Sequence, residues 1–171
     1  MNSRFLTIVV TLVFCCGVTA AVLLVGEFFR RRGAAIAGLK APDSLVLLAI
    51  DGAEDVEAKY TRAVSAGEEV FHQYAVLGQV EIADADERAR IVAALQQAAV
   101  APDLEPPGNS FRPRHALIAR ENGQTIEIAI SFESRQYHRY GQGREDYPAI
   151  SRSAEAILTR HLTDAGISLA P

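Results

Sequence analysis

The longest hydrophobic pattern in the chain is an uncharged run of 21 residues, Phe5 to Val25. At the rise of an α-helix this run extends about 30 Å, the thickness of the hydrocarbon core of a bilayer. A backbone in lipid must satisfy its own hydrogen bonds, so the run is expected to be helical. Residues 1–29 are therefore predicted to form a single transmembrane anchor, whose partner is the lipid bilayer.

A cleaved secretory signal is the competing interpretation of the same run. Arg4 precedes it, and Val18-Thr19-Ala20 offers a cleavage site of small residues. The apolar run continues past that site to Val25 and ends at charged residues, which favours an anchor that stays attached.

The charges around the run give conflicting evidence on its orientation. Arg30, Arg31 and Arg32 follow the run, and the positive-inside rule then favours a cytoplasmic position for the rest of the chain. A short amino-terminal tail can override this rule and export the domain. The side of the membrane therefore stays open at this point.

Residues 30–42 combine this basic flank with a stretch of small residues, Gly33 to Pro42. Glycine and alanine make such a stretch flexible, so it is predicted to be a linker that holds the domain away from the bilayer. The soluble domain is predicted to span residues 43–171.

The first half of this domain carries two strand patterns and one weak helix pattern. Ser44 to Ile50 is a continuous apolar run that predicts a buried strand, and Ala53 to Ala66 has weak helical periodicity. Val70 to Ile82 is rich in aromatic and β-branched residues. It predicts two short strands, or one strand bent at a bulge near Gly78.

The best-specified helix begins after Asp84, whose carboxylate can cap it while Glu87 reaches back to the cap. It is predicted to run to about Val100. Its apolar face is formed by Ile91, Val92, Leu95 and Ala99.

The second half predicts a meander of strands and a final helix. Asn122-Gly123 is a strong hairpin signal between His115 to Arg120 and Thr125 to Glu133. A third strand is predicted at Gln136 to Tyr140, and a helix at Tyr147 to Ala165. Grouped strands with helices before and after them predict an α+β domain, in which two to three helices pack on one antiparallel sheet.

Charge and cysteine content exclude several function classes. The chain has 17 basic and 21 acidic residues, and four of the bases and one acid precede Gly33. The remainder therefore has 13 bases against 20 acids, which makes nucleic acid a poor partner. Because Cys15 and Cys16 are the only cysteines, the domain has no thiol for a disulfide, a cysteine zinc site or a nucleophile.

Arg112, Arg114 and His115 cluster around a proline at the entrance to a predicted strand. Guanidinium groups in such a place can donate to a carboxylate or a phosphate, so this cluster is a candidate pocket for an anionic ligand. The alternative is that these arginines only pair with acids of the hairpin, such as Glu127 or Glu133.

His115, Glu133 and His138 would form a second type of site if their strands were neighbours. Two imidazoles and a carboxylate suit zinc or general acid and base chemistry. The chain has no His-Glu-x-x-His helix, glycine-rich phosphate loop or nucleophile elbow. No catalytic residue, metal or cofactor is therefore assigned.

These patterns together favour a membrane-tethered binding or interaction module for an anionic ligand or a protein partner, with no catalysis evident. The alternative is a small enzyme or metal-dependent hydrolase that uses His115, Glu133 and His138. The two hypotheses differ in whether these three side chains converge.

The stretch from Phe111 to Tyr140 resembles an uncharacterised family of small bacterial exported or membrane-anchored proteins. That family carries a Cys-Phe-x-Pro-Arg-His hairpin and a Cys-Phe-x-Cys strand, and the similarity extends over Ser44 to Pro171. The matching residues are Phe111, Pro113, Arg114, His115, Phe132 and Glu133. Serine replaces the family's cysteines at Ser110, Ser131 and Ser134. The resemblance implies a shared fold and an exported location, and it implies no known activity.

Overall fold

The computed structural model describes residues 36, 38–52, 55–100, 110–141 and 147–170. Its helices and strands follow one another as β1 (Ser44–Asp51), α1 (Val56–Ala66), β2 (Val70–Phe71), β3 (Tyr74–Glu81), α2 (Ala85–Val100), β4 (His115–Glu121), β5 (Gln124–Ser131), β6 (Gln136–Arg139), a 3₁₀ turn (Arg152–Ala154) and α3 (Glu155–Asp164).

The six strands form one antiparallel sheet in the order β2-β3-β1-β4-β5-β6. With the three helices, this arrangement confirms the predicted α+β class. The buried run of β1 lies in the middle of the sheet, where both faces of a strand are covered. That position explains why its sequence is continuously apolar rather than alternating.

The alternation of side chains along β1 divides the core into two clusters. Leu45, Leu47 and Ala49 join the larger cluster, which includes the buried faces of α2 and α3. Leu48 and Ile50 join a smaller cluster on the opposite face. The functional side chains described below are distributed between these two faces.

The sheet curls so strongly that its two edge regions touch. The ring of His72, just after β2, stacks on Tyr140, just after β6, with centroids 3.5 Å apart. The Nε2 atom of His72 also lies 3.0 Å from a carboxylate oxygen of Glu127 on β5. These contacts close the smaller cluster between the two ends of the sheet.

The hairpin between β4 and β5 confirms the Asn122-Gly123 signal. The two loop residues have φ of 51° and 76°, as the twist of a two-residue hairpin requires. The alternating isoleucines of β5 all enter the larger cluster together with Phe132.

The predicted cap of helix α2 is confirmed in part. The backbone N–H of Glu87 donates to Oδ1 of Asp84 over 2.8 Å, and the four predicted face residues are buried. The Glu87 carboxylate does not reach back to the cap. It accepts from Arg90 at 2.7 Å and lies 2.9 Å from Nε2 of His161 on α3.

The segment from Val70 to Ile82 forms two strands with a bulge beside Gly78, as predicted, although the break between the strands does not fall at Gly78. The break in the segment from Val70 to Ile82 falls at His72 and Gln73, where His72 has a φ of 53°. Gly78 lies within β3, beside a bulge where Ala49 pairs with Gly78 and Ile50 pairs with Val76.

The last helix begins later than predicted. The chain around Pro148 pairs with β6 instead of forming a helix. The Pro148 carbonyl accepts a hydrogen bond from the N–H of Tyr137, and Ala149 forms an isolated antiparallel bridge with Gln136. The helical turns start only after Ser151, whose hydroxyl caps the 3₁₀ turn. Periodicity alone cannot reveal this competition from β6.

The predicted linker is packed where the structure describes it. Ile36 and Leu39 are fully buried in the larger cluster, and the Gln96 amide donates to the Leu39 carbonyl over 2.6 Å. The backbone N–H of Ala41 donates to Glu121 over 2.7 Å. Residues 36 and 38–42 are thus part of the domain, which corrects the prediction of a flexible spacer over this stretch.

The predicted anchor, Phe5 to Val25, lies outside the described residues. Among the residues that are described, none belongs to a helix with the length and apolar character needed to cross a bilayer. The anchor therefore stays a prediction from the sequence.

Candidate functional site

The segment that carries Arg112 and Arg114 is fixed by a close approach between two backbones. A Cβ atom added to Gly52, just after β1, would lie 2.2 Å from the Pro113 carbonyl oxygen. The chain then enters β4 with two backbone bonds, from Ile50 N–H to the Arg114 carbonyl and from Arg114 N–H to the Ile130 carbonyl. Glycine at position 52 is therefore what lets this arginine segment lie against the end of β1.

The two arginines open onto a small cleft of about 100 Å³, called here the arginine cleft. Arg152, in the 3₁₀ turn before α3, contributes a third guanidinium to its lining. Glu133 and Glu155 contribute two carboxylates, and the remaining lining comes from His115 and Phe132. The cleft thus lies between the start of β4, the end of β5 and the start of α3.

The arginines of the cleft are held by the two glutamates with unequal strength. Arg152 Nε donates to Glu155 over 2.7 Å, and this hydrogen bond raises the pKa of Arg152. Arg114 Nη2 lies 3.8 Å from Glu133, and both side chains are largely exposed. An exposed ion pair at this distance contributes little free energy in water. Arg114 can therefore replace Glu133 with another anion at a small cost in free energy.

His115 forms the buried base of the cleft. The residue is 2% exposed, and its ring meets Phe132 edge-on with centroids 5.3 Å apart. Its Nε2 lies 3.0 Å from the Thr159 hydroxyl on α3. Its Nδ1 is buried and has no hydrogen-bond partner in the described part of the chain, which is an unusual and costly state for a polar atom.

The pKa of His115 is lowered to about 4, chiefly because the ring is buried; the nearby Glu155 carboxylate opposes this shift and the Arg114 guanidinium adds to it. The ring is therefore neutral at pH 7. One of its nitrogens then carries a proton and the other a lone pair, and the Thr159 hydroxyl can serve either as donor or as acceptor to Nε2.

Four of the five candidate residues named from the sequence come together in the arginine cleft: Arg112, Arg114, His115 and Glu133. His138 does not. In the sheet register His115 is opposite Ile130, which is opposite Tyr137. His138 is opposite Ala129, which is opposite Ala116. Because residues that pair directly share a face, His138 and His115 lie on opposite faces of the sheet.

The set of His115, Glu133 and His138 is therefore not assembled. Within the described ranges, no group of three or more histidine, cysteine or acidic side chains is placed to hold a metal ion. His138 instead contacts the rings of Tyr140 and Tyr147. The alternative prediction of a metal-dependent hydrolase depended on that convergence.

The alternative hypothesis, in which the arginines only pair with acids of the hairpin, is confirmed in part. Glu133 lies near Arg114 at the long distance given above, but the partner of Glu127 is His72. Glu127 points to the face opposite the arginine cleft, since it neighbours Ile126 and Ile128, which enter the larger cluster.

Sequence reasoning missed Arg152, Glu155 and Thr159. Their only local signal is the spacing of Arg152 and Glu155, which suits an i,i+3 pair at a helix start. Their approach to His115 depends on how α3 packs across the sheet, and a local pattern does not contain that information.

Comparison with family models, curated proteins and solved structures gives no match. The resemblance carried by the Pro113-Arg114-His115 segment stays a prediction. Function is therefore argued from the chemistry of the cleft.

Proposed function

We propose that the chain is a membrane-tethered binding module whose domain holds a small anionic group in the arginine cleft, without catalysing a reaction. The observation that carries this proposal is the open 3.8 Å pair of Arg114 with Glu133, in a cleft that two further guanidinium groups and the buried ring of His115 also line. An anion in the cleft would give Arg114 a closer partner.

The neutral state of His115 is compatible with this role. When the Thr159 hydroxyl donates to Nε2, the ring proton lies on Nδ1, and Nδ1 becomes a hydrogen-bond donor. A bound anion would favour that tautomer. It would also favour the protonated ring, so anion binding is expected to raise the pKa of His115 from about 4.

The charge of the cleft differs from that of the domain around it. Three guanidinium groups line one small cleft, whereas the chain from Gly33 onward has an excess of acids. A local positive site on an acidic domain attracts an anion over a short range and repels large polyanions at a distance. The ligand is therefore expected to be small, or to be a single anionic group on a larger partner.

The proposal is tested by thermal unfolding of the full chain in a non-ionic detergent, with a panel of small carboxylates, phosphates and sulfates. A ligand at 100 times its Kd stabilises the folded state by about 2.7 kcal/mol. The double variant Arg112→Gln and Arg114→Gln should lose this stabilisation. Arg160→Gln removes one positive charge from an exposed position on α3 outside the cleft lining, and it should keep the stabilisation.

Equal stabilisation of the double variant and the unaltered chain would contradict the proposal, because binding would then lie elsewhere. Absence of stabilisation by every anion in the panel would contradict it as well.

A further inference from the structure

Two dipeptides of the chain place an asparagine or aspartate side chain directly before a glycine: Asn122-Gly123 and Asp51-Gly52. In such a pair the backbone nitrogen of the glycine can attack the Cγ atom of the side chain before it and close a five-membered imide. Glycine favours this attack, because it has no Cβ atom to crowd the nitrogen and leaves the backbone free to turn. The two pairs share one chemistry, so their structural settings decide where it can occur.

The Asp51-Gly52 pair is held on both sides. Lys59 Nζ donates to Oδ1 of Asp51 over 2.9 Å, and Asp51 pairs with Ala75 inside the sheet. Gly52 is buried and packs directly against the backbone of Pro113. Closing the imide requires the side chain and the next peptide unit to rotate toward each other. These contacts oppose that rotation.

The Asn122-Gly123 pair is open, by contrast, because it forms the exposed tip of the β4–β5 hairpin. A Cβ atom added to Gly123 would meet nothing within 4 Å among the residues that the structure describes. Glu121 and Gln124 pair in register on either side of the tip, so the N–H of Gly123 is not part of the ladder. The tip can therefore change conformation for ring closure without unpacking the core.

The hairpin tip also holds the segment of residues 38–43. The N–H of Asn122 donates to Oδ2 of Asp43 over 3.1 Å. Oε1 of Glu121 accepts from the backbone N–H groups of Lys40 and Ala41, over 3.1 and 2.7 Å. A third carboxylate at position 122 would join those of Asp43 and Glu121, and like charges repel. A charge gained at the tip is therefore expected to weaken these hydrogen bonds.

We propose that Asn122 is a site of spontaneous deamidation, and that its conversion loosens the segment of residues 38–43. The Gly123 nitrogen forms a bond to Cγ of Asn122, the bond from Cγ to Nδ2 breaks, and ammonia leaves with the proton of the Gly123 N–H. Water then opens the imide at one of its two carbonyls and gives aspartate or isoaspartate. Both products carry a new negative charge, and isoaspartate also adds a carbon atom to the main chain of a turn built for two residues.

The test is incubation of the full chain in non-ionic detergent at pH 8 and 37 °C, followed by peptide mapping with mass spectrometry and enzymatic methylation of isoaspartate. In the folded chain we expect conversion at Asn122 and none at Asp51, whereas both sites should convert in urea. Hydrogen exchange at the Ala41 amide should be about tenfold faster in the converted chain than in the fresh chain, as the loss of one hydrogen bond to a carboxylate allows.

Asn122→Gly is the matched control, because glycine accepts a φ of 51° and keeps the N–H that donates to Asp43. This variant should stay unconverted and keep the slow exchange of Ala41 through the same incubation. An Asn122 that stays intact in the folded chain while it converts in urea would overturn the proposal, as would conversion of Asp51 as fast as that of Asn122. Conversion of Asn122 with unchanged exchange at Ala41 would overturn the link to the segment.

Discussion

At the scale of single residues, His115 is the side chain whose environment is most unusual. It is a polar residue at the base of the cleft, packed between Phe132 and Thr159, and one of its ring nitrogens has no partner among the residues that the structure describes. A buried polar atom without a partner costs about 1–3 kcal/mol. Arginine, histidine and glutamate could be proposed as a site from their spacing alone, but this burial could not, because it depends on α3 covering the ring.

The stability of the domain is expected to depend on the protonation of His115. The pKa of His115 is about 4 in the folded state and 6.5 as a model value, so between these values the unfolded chain binds more protons. Stability is therefore full above pH 6.5 and falls as the pH drops toward 4, by about 3 kcal/mol. Urea unfolding of the full chain from pH 7.5 to pH 4 measures this loss.

The variant His115→Gln keeps a polar side chain but removes the titrating ring, so its stability should fall less over the same pH range. If the two curves run parallel, the assignment to His115 is wrong. A nuclear magnetic resonance titration of the ring in the unaltered chain gives the same pKa independently, should the variant fail to fold.

At the scale of elements, the segment before β1 packs on the core, although its composition predicts a flexible linker. Gly33 to Pro42 is rich in small residues, which is typical of a flexible linker. In the structure Ile36 and Leu39 are buried in the larger core cluster, and the Gln96 amide donates to the carbonyls of both residues. Two apolar side chains among small residues are too few to form a periodic pattern, so only the tertiary contact reveals the docking.

Truncating Leu39 should therefore destabilise the whole domain. Removal of a fully buried leucine side chain costs about 2–5 kcal/mol, and we expect Leu39→Ala to lower the free energy of unfolding in urea by this amount. Lys40→Ala is the matched control, because the Lys40 side chain is exposed and its bond to Glu121 is made by the backbone. Equal, small effects of the two variants would show that the segment does not contribute to the core.

Local patterns predicted those elements whose signals do not depend on distant contacts. The hairpin at Asn122-Gly123 and the capped helix after Asp84 are of this type. The late start of α3 and the contact of His72 with Tyr140 are not, because each arises from the way the curled sheet brings separate parts of the chain together. The arginine cleft could be predicted only in part. Its residues beside β4 and β5 were predicted, whereas Arg152 and Glu155 at the start of α3 were not.

At the scale of the whole molecule, the docked segment limits how far the domain can lie from its predicted anchor. Residues 33–35 separate Arg32 from Ile36, and the four steps from one Cα atom to the other span at most about 14 Å. If Arg30 to Arg32 lie at the headgroups, as the charge pattern predicts, the domain is expected to lie next to the bilayer surface. A ligand in the arginine cleft would then be one that is available close to the membrane.

The orientation of the anchor is a separate prediction. The basic residues after Val25 outnumber those before Phe5, so the positive-inside rule favours a cytoplasmic domain. A fluorescent protein fused after Pro171 should then be fluorescent, and alkaline phosphatase fused at the same position should be inactive. Active phosphatase would instead support export, as the family resemblance implies.

The most direct test of the central claim is the response of the four histidine rings to an anion. Long-range ¹H–¹⁵N spectra of the full chain, recorded during an acetate titration, report the state of each ring nitrogen. Binding in the arginine cleft predicts a saturable shift of Nδ1 of His115, while the rings of His72, His138 and His161, which lie outside the cleft lining, stay unchanged. An unchanged His115 resonance at high acetate, or equal shifts of all four rings, would contradict the assignment of the cleft as the binding site.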